Sequence, residues 1–471
     1  MTNYVDAFYV VFQEFYFFVT VAIMWLIHVG FSMYEVGVSR RKNMMHTLSK
    51  NLMLIPIITM SFFFFGWWSY FAFVEFPFGP IAEAPWALPW STLMGPNFGA
   101  VGDPDGWARL NGVFAMAFLL FAWTTGSICS GAMIERIRLG SFLVLMAVFG
   151  GWWWLVDAAW GWAPNGWMVQ LMGYHDAYAA GVVHVAAGGF ALGVLYVLKP
   201  RIGKFGPNGE VRDISPHNKW ITCFGLILIL TGFWGFMAAC HVPLTEMTGD
   251  PENPFWSATT IYGTPVTLSN LTVTYIMACA AGMMAMFFMS KGDPFWTMSG
   301  MISGVVSNTS GMDVYHPLTV VGLAFMGSVF AYKMHYWVER RFKIDDAVGA
   351  VAVHAYAGLF SMIACGFIMW GYPAAAPIVE NGAWFANNAD GWPTVQPLGQ
   401  AIGAVIMFGL FGIIPGYVLA KSFDIFGKLR VPREVELAGQ DSHFLGDAYP
   451  YFEVAETEFE AIERTYMRDE S

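Results

Sequence analysis

Two short stretches of this chain hold the residue types that could do chemistry in an apolar setting. Asp176–Gly189 reads DAYAAGVVHVAAGG and places one imidazole, His184, among small apolar residues. Asp345–Gly358 reads DDAVGAVAVHAYAG and repeats the pattern around His354. Each histidine is followed by a glycine at the fourth position after it, Gly188 and Gly358, and each is preceded by aspartate about two helical turns earlier. A neutral imidazole carries both a donor and an acceptor, so a facing pair can pass a proton or bond an amine. An ionisable group inside a membrane segment is expensive, and it normally faces a bundle interior or a polar pathway. The bland alternative, in which each ring bonds a nearby carbonyl as helix glue, explains one histidine well. It explains a matched pair poorly.

These stretches sit in a chain built for lipid. Of 471 residues, 56% are hydrophobic and only 12% charged, against about a quarter charged in soluble domains. Apolar runs such as 52–74 and 401–420 are long enough to cross a hydrocarbon core of about 30 Å. No ten-residue alternation of a membrane β-barrel is visible. The expected fold is therefore an all-α polytopic membrane protein. Eleven spans are predicted near 8–33, 50–74, 110–133, 139–157, 179–198, 219–240, 266–290, 295–308, 315–336, 347–372 and 397–421, the eighth being short and rich in Gly and Ser.

With eleven spans, every Lys and Arg except Arg109 falls on one side. The positive-inside rule then puts the N-terminus outside and the C-terminus in the cytoplasm of a cell (inner) membrane. The first ten spans divide into repeats 8–198 and 219–372 of opposite topology, with 397–421 as an added helix. His184 and His354 fall on the corresponding fifth elements, and such sites sit at repeat interfaces. The sequence divides into an eleven-helix domain, 1–421, and an acidic tail, 422–471. The N-terminus lacks a basic region and cleavage site, so no removable signal peptide is expected. The five cysteines lack paired spacing and read as free thiols, with no metal pattern and no cofactor motif. A net charge of −11 disfavours nucleic acid as a partner. In the tail, Phe452, Ala455, Phe459, Ile462 and Tyr466 fall on one face of a short helix. The tail is expected to be solvated or loosely docked, with a docking surface for a regulator as the alternative.

Several stretches resemble the Amt/Mep/Rh ammonium transporter family: FSMYEVGVSRRKN (31–43), GAMIERIR (131–138), both histidine motifs, HNKWITCFGLILILTGFWGFMAAC (217–240) and KLRVPREVE (428–436). The resemblance implies an eleven-helix homotrimer in the bilayer with one pore per subunit. It implies His184 and His354 as the pore pair, Phe121 and Phe236 as a stacked aromatic gate, and Asp176 as support for an outer cation site, with a structural role for Asp176 at a loop or helix start as the open alternative. It implies Trp160 as the outer-site tryptophan, with Trp152 as second candidate; Trp160 needs a four-residue insertion before Asp176. Thr309 matches the threonine of the broken eighth helix, and a PII-type regulatory protein is an implied partner at the tail. The departures are Cys240 for serine, Met237 for asparagine and Ala117 for phenylalanine. Sulfur accepts more weakly than oxygen, so the entrance is expected to be roomier and less polar, suited to ammonium or to a methylated ammonium. The competing class is a cation sensor acting through the tail. No nucleophile–base pair, metal cluster or phosphate loop suggests an enzyme.

Overall fold

In the computed structural model the described residues are 2–94, 107–248, 255–260, 264–375, 382–389 and 391–444. Among the described residues, ten helices are long and apolar enough to span a membrane. They are α1 Phe8–Val38, α2 Arg41–Ala72, α3 Arg109–Ala132, α4 Leu139–Gly161, α5 Ala180–Leu198, α6 Lys219–Ala239, α7 Leu268–Ser290, α9 Pro317–Phe342, α10 Val351–Ile368 and α11 Pro397–Ile425. The eighth, α8, is Pro294–Val306 and has 13 residues. At 1.5 Å per residue it extends about 20 Å, short of a full crossing. Asp293 caps its start by accepting from the Trp296 N–H at 3.1 Å. After Ser307 the chain turns before Pro317 opens α9. The eleven-element plan therefore holds with ten full spans and one half-span.

One element has no counterpart in the sequence reading. Directly after Cys240 an outer segment forms a small antiparallel sheet, β1 His241–Thr248, β2 Phe255–Thr260 and β3 Pro265–Val266, in the order β1-β2-β3. Its register pairs His241 with Thr260 and Thr259 with Pro265.

Both histidine-bearing helices begin the same way. A left-handed residue (Ala179, φ 70°, or Gly349, φ 68°) precedes a π-helical turn, Ala180–Val185 or Val351–Tyr356. Such turns favour functional sites because they break the regular ladder. The two helices then cross in close contact. A Cβ on Gly188 would lie 2.5 Å from Ala355 Cβ, and one on Gly358 would lie 2.7 Å from Val185 Cγ2. The paired glycines noticed in the sequence are what let the rings meet.

The end of the bundle that carries the basic residues is held by a network of charges. Asp345 accepts from Arg201 Nε at 2.8 Å and Nη2 at 3.0 Å, while Arg136 donates to the Asp345 carbonyl at 2.6 Å. Glu135 accepts from Arg40 Nε at 2.8 Å and lies 3.6 Å from Arg201 Nη1. Burial alone would raise both carboxyls; Arg201 with Arg136 holds Asp345, and Arg201 with Arg40 holds Glu135, below the usual carboxylate range.

The beginning of the tail is firmly docked, which corrects the expectation of a loose tail. Glu436 accepts from the Ile202 N–H at 2.8 Å and from Arg430 Nε at 3.0 Å. Asp441 accepts from the Met45 and His46 N–H groups at 2.9 and 2.8 Å, at the start of α2. The predicted helix with Phe452 and Tyr466 lies outside the described residues.

Candidate functional site at the crossing of the two histidine helices

Asp176 organises the first half of the site. Its carboxylate accepts from Ala180 N–H at 2.6 Å, Gly181 N–H at 2.8 Å, Val182 N–H at 2.9 Å and Tyr174 O–H at 3.1 Å. These are the orphan donors of a helix start, so Asp176 caps the turn that carries His184. The second half uses Asp346, whose carboxylate accepts from Ala350 N–H at 3.0 Å and Val351 N–H at 2.9 Å. Asp345, the first aspartate of that motif, faces the Arg201 and Arg136 cluster instead. Burial pushes the Asp346 carboxyl up to about 6.

The caps aim the imidazoles at one another. His184 Nδ1 and His354 Nδ1 are 3.0 Å apart, with rings 5.1 Å apart and 15° from parallel. Both side chains are buried. A bond between two Nδ1 atoms needs one N–H and one lone pair. In the neutral pair the rings are therefore opposite tautomers, leaving one Nε2 as an acceptor and the other as a donor. The pair can take a proton at one end and deliver one at the other.

Above the pair lies a short aromatic stack. Phe236 stacks on His184 at 5.7 Å and 25°. Phe121 meets Phe236 at 4.5 Å and 78°, edge to face, whereas the sequence reading expected a stacked pair. The tryptophan against Phe121 is Trp162, at 4.8 Å and 79°, with its N–H bonded to the Asp176 carbonyl at 3.0 Å. Trp160 packs instead on Trp167 and Phe411, at 5.1 and 5.0 Å. Trp152 is 38% exposed on the outer side of α4 and donates to Ser69 Oγ at 3.1 Å. The insertion before Asp176 is what blurred the choice: two tryptophans two residues apart point in opposite directions, and spacing alone does not choose between them.

Cys240 Sγ–H is directed at the Phe236 carbonyl, at 3.3 Å, one turn back on its own helix. Ala117, Met237 and Cys240 are all buried. Beside Ala117, Phe118 places its ring 6.0 Å from Phe121 and 5.5 Å from Trp162. The Thr309 carbonyl accepts from the Tyr178 N–H at 2.9 Å, and its hydroxyl donates to Val306 at 2.9 Å. The turn after α8 thereby holds the Asp176 segment. His175 adds to this contact, with Nε2 3.1 Å from Asp313 Oδ2.

The two ends of the path differ. At the Asp176 end Tyr178 O–H meets His241 Nε2 at 2.7 Å, where the small sheet begins. At the Asp346 end a cavity of about 480 Å³ is lined by Arg201, Lys204, Trp296, His335, Glu339 and Asp346, among others. His335 Nδ1 lies 3.9 Å from Asp346 Oδ2. Sequence reasoning missed Trp162, Asp346, His335 and a buried acid in α4, Asp157. The last had a clear signal, since an aspartate within LVLMAVFGGWWWLVDAAWGW is an ionisable residue in an apolar run.

Among known proteins, the model of the Ammonium Transporter Family matches residues 15–449. Ammonium transporter Amt2 of Archaeoglobus fulgidus is 27% identical, covering 91% of this chain and 86% of that protein. The ammonium transporter of Bacillus subtilis is 25% identical, covering 92% and 96%. Among solved structures, a protein titled Sensor Amt Protein superposes with a TM-score of 0.75 at 21% identity, covering 94% of this chain and all of that one. Mep2 of Candida albicans superposes with a TM-score of 0.68 at 19% identity, covering 90% and 86%. At these identities the structures speak for the shared fold.

Proposed function

Because the chain belongs to the ammonium transporter family, we propose that it carries ammonium across the cell membrane by capturing the cation at the outer aromatic site and passing it on deprotonated. The observation that carries this is the 3.0 Å contact between His184 and His354, directly beneath Phe236 and Phe121. Ring faces of Phe121 and Trp162 attract a small cation. The gate itself, Phe121 against Phe236, presents only ring carbons, so a full charge would lose its hydration there with no oxygen to replace it. Ammonia, being neutral, crosses that barrier more cheaply. The opposite tautomers of the imidazole pair give it an acceptor and a donor on the far side, and offer the released proton a relay. Asp176 and Asp346 act through the backbone, holding the two π-helical turns in place.

The arrangement would operate in a homotrimer with the C-terminus in the cytoplasm, and the docked tail and basic inner face would receive a PII-type protein. These parts rest on the family. A second reading, a methylated ammonium as cargo, rests on Cys240, whose thiol hydrogen is spent on the Phe236 carbonyl. Uptake of labelled methylammonium and of ammonium into proteoliposomes tests the reading. Wild type should accumulate label, and His354→Ala should lose at least tenfold, roughly 1.4 kcal/mol of barrier. Binding without uptake in wild type would instead favour a sensor acting through the tail.

A further inference from the structure

The tryptophan that does not join the pore belongs to a second constellation. On α4, Trp153, Asp157 and Trp160 are spaced i, i+4, i+7 and fall within about 60° of one another around the helix. Asp157 is completely buried, and neither carboxylate oxygen has a hydrogen-bond partner among the described residues. The indole N–H groups of Trp153 and Trp160 are also unpartnered there. Phe411 of α11 closes the face, 5.3 Å from the Trp153 ring and 5.0 Å from Trp160. Aromatic contacts continue outward, from Trp160 to Trp167 at 5.1 Å and from Trp167 to Trp384 at 5.9 Å. Trp384 is 49% exposed on the outer side.

We propose that Asp157, Trp153, Trp160 and Phe411 form a binding site for a small ammonium-type cation, lateral to the twin-histidine pore. A buried carboxyl with neither oxygen bonded must take up a proton or meet a cation, and Asp176, the acid near it, favours both. One carboxylate set among aromatic faces fits a cation that is held by ring faces and a few N–H bonds. It does not fit a hard metal ion, which needs many oxygen ligands. The Trp384–Trp167–Trp160 ladder gives such a cation attractive surfaces from the outer face inward. The site lies beside the pore: Asp157 is within electrostatic reach of Asp176, which caps the turn that carries His184. On the neighbouring side of α4, Trp154 Nε1 donates to the Val182 carbonyl at 2.8 Å, in the turn that carries His184.

The test is infrared difference spectroscopy on the full-length protein in nanodiscs, with methylammonium chloride added at neutral pH. Equilibrium binding is read, so the result is independent of passage through the pore. Wild type should show a perturbed carboxylate stretch that Asp157→Asn lacks and that Phe121→Ala retains. In a parallel thermal-shift titration, Asp157→Asn and Trp160→Leu should each need at least tenfold more methylammonium for half of the shift. Equal titrations in wild type and both variants would overturn the site. So would a protonated Asp157 carboxyl band that methylammonium leaves unchanged, since the buried acid would then carry a proton and not a cation.

Discussion

The two histidine helices carry one device turned toward opposite faces of the membrane, and its surroundings differ. At the outer half, Asp176 takes three backbone N–H groups and a tyrosine hydroxyl, and Tyr178 closes over it onto His241. At the inner half, Asp346 takes two backbone N–H groups and lines a cavity of about 480 Å³ beside His335. The Asp176 cap is sealed by protein; the Asp346 cap opens onto that cavity. A duplicated local solution thus acquires direction from the segments that cover it.

The twin histidines give the largest expected effect. If the pair acts as one relay, His184→Ala, His354→Ala and the double variant should lose uptake equally, each at least tenfold (about 1.4 kcal/mol). Additive losses measured in proteoliposomes would show two independent groups and break the symmetry. The caps come next. Asp176→Ala strands three buried N–H groups at about 1–3 kcal/mol each. Asp346→Ala strands two that water can reach from the cavity, so its loss in thermal or denaturant unfolding should be clearly smaller. Equal losses would remove the distinction between sealed and open halves.

The glycines should instead behave alike. Gly188→Val and Gly358→Val each push a side chain into the opposite helix, costing about 1–3 kcal/mol by overpacking. A variant that unfolds like wild type would show that the close crossing is not needed on that side.

A smaller effect belongs to the Asp345 and Glu135 charge cluster. Asp345 and Glu135 have folded pKa values below the ordinary ones, so they contribute stability that is complete above the unfolded carboxylate pKa of about 4. That stability is lost as pH falls below this toward the folded values. Asp345→Asn should flatten the acid side of a melting-temperature profile; an unchanged slope there would place the acid sensitivity elsewhere. Smallest is the change in selectivity. Ala117→Phe, Met237→Asn and Cys240→Ser together should shift preference toward ammonium over trimethylammonium by up to about tenfold, or about 1.4 kcal/mol. A competition series in which the triple variant matches wild type would detach these residues from selection.

Local pattern and solvent set the part of this protein that its sequence determines alone. Long apolar runs had to become helices, because lipid leaves backbone groups no other partner. Basic residues gathered on one side, two histidines stood in matching places, and the glycine after each marked a close crossing. The tertiary structure decided which way side chains face once helices are irregular. Trp160 and Trp162 are two residues apart, and only the fold puts Trp162 against Phe121 and Trp160 against Phe411. Asp345 and Asp346 are adjacent, and only the fold gives one to Arg201 and the other to the helix start. The tail looked loose by composition, because its acids bind partners far away in sequence, at Ile202 and Met45. Periodicity tells which residues share a helix face; it does not tell what the rest of the chain brings to that face.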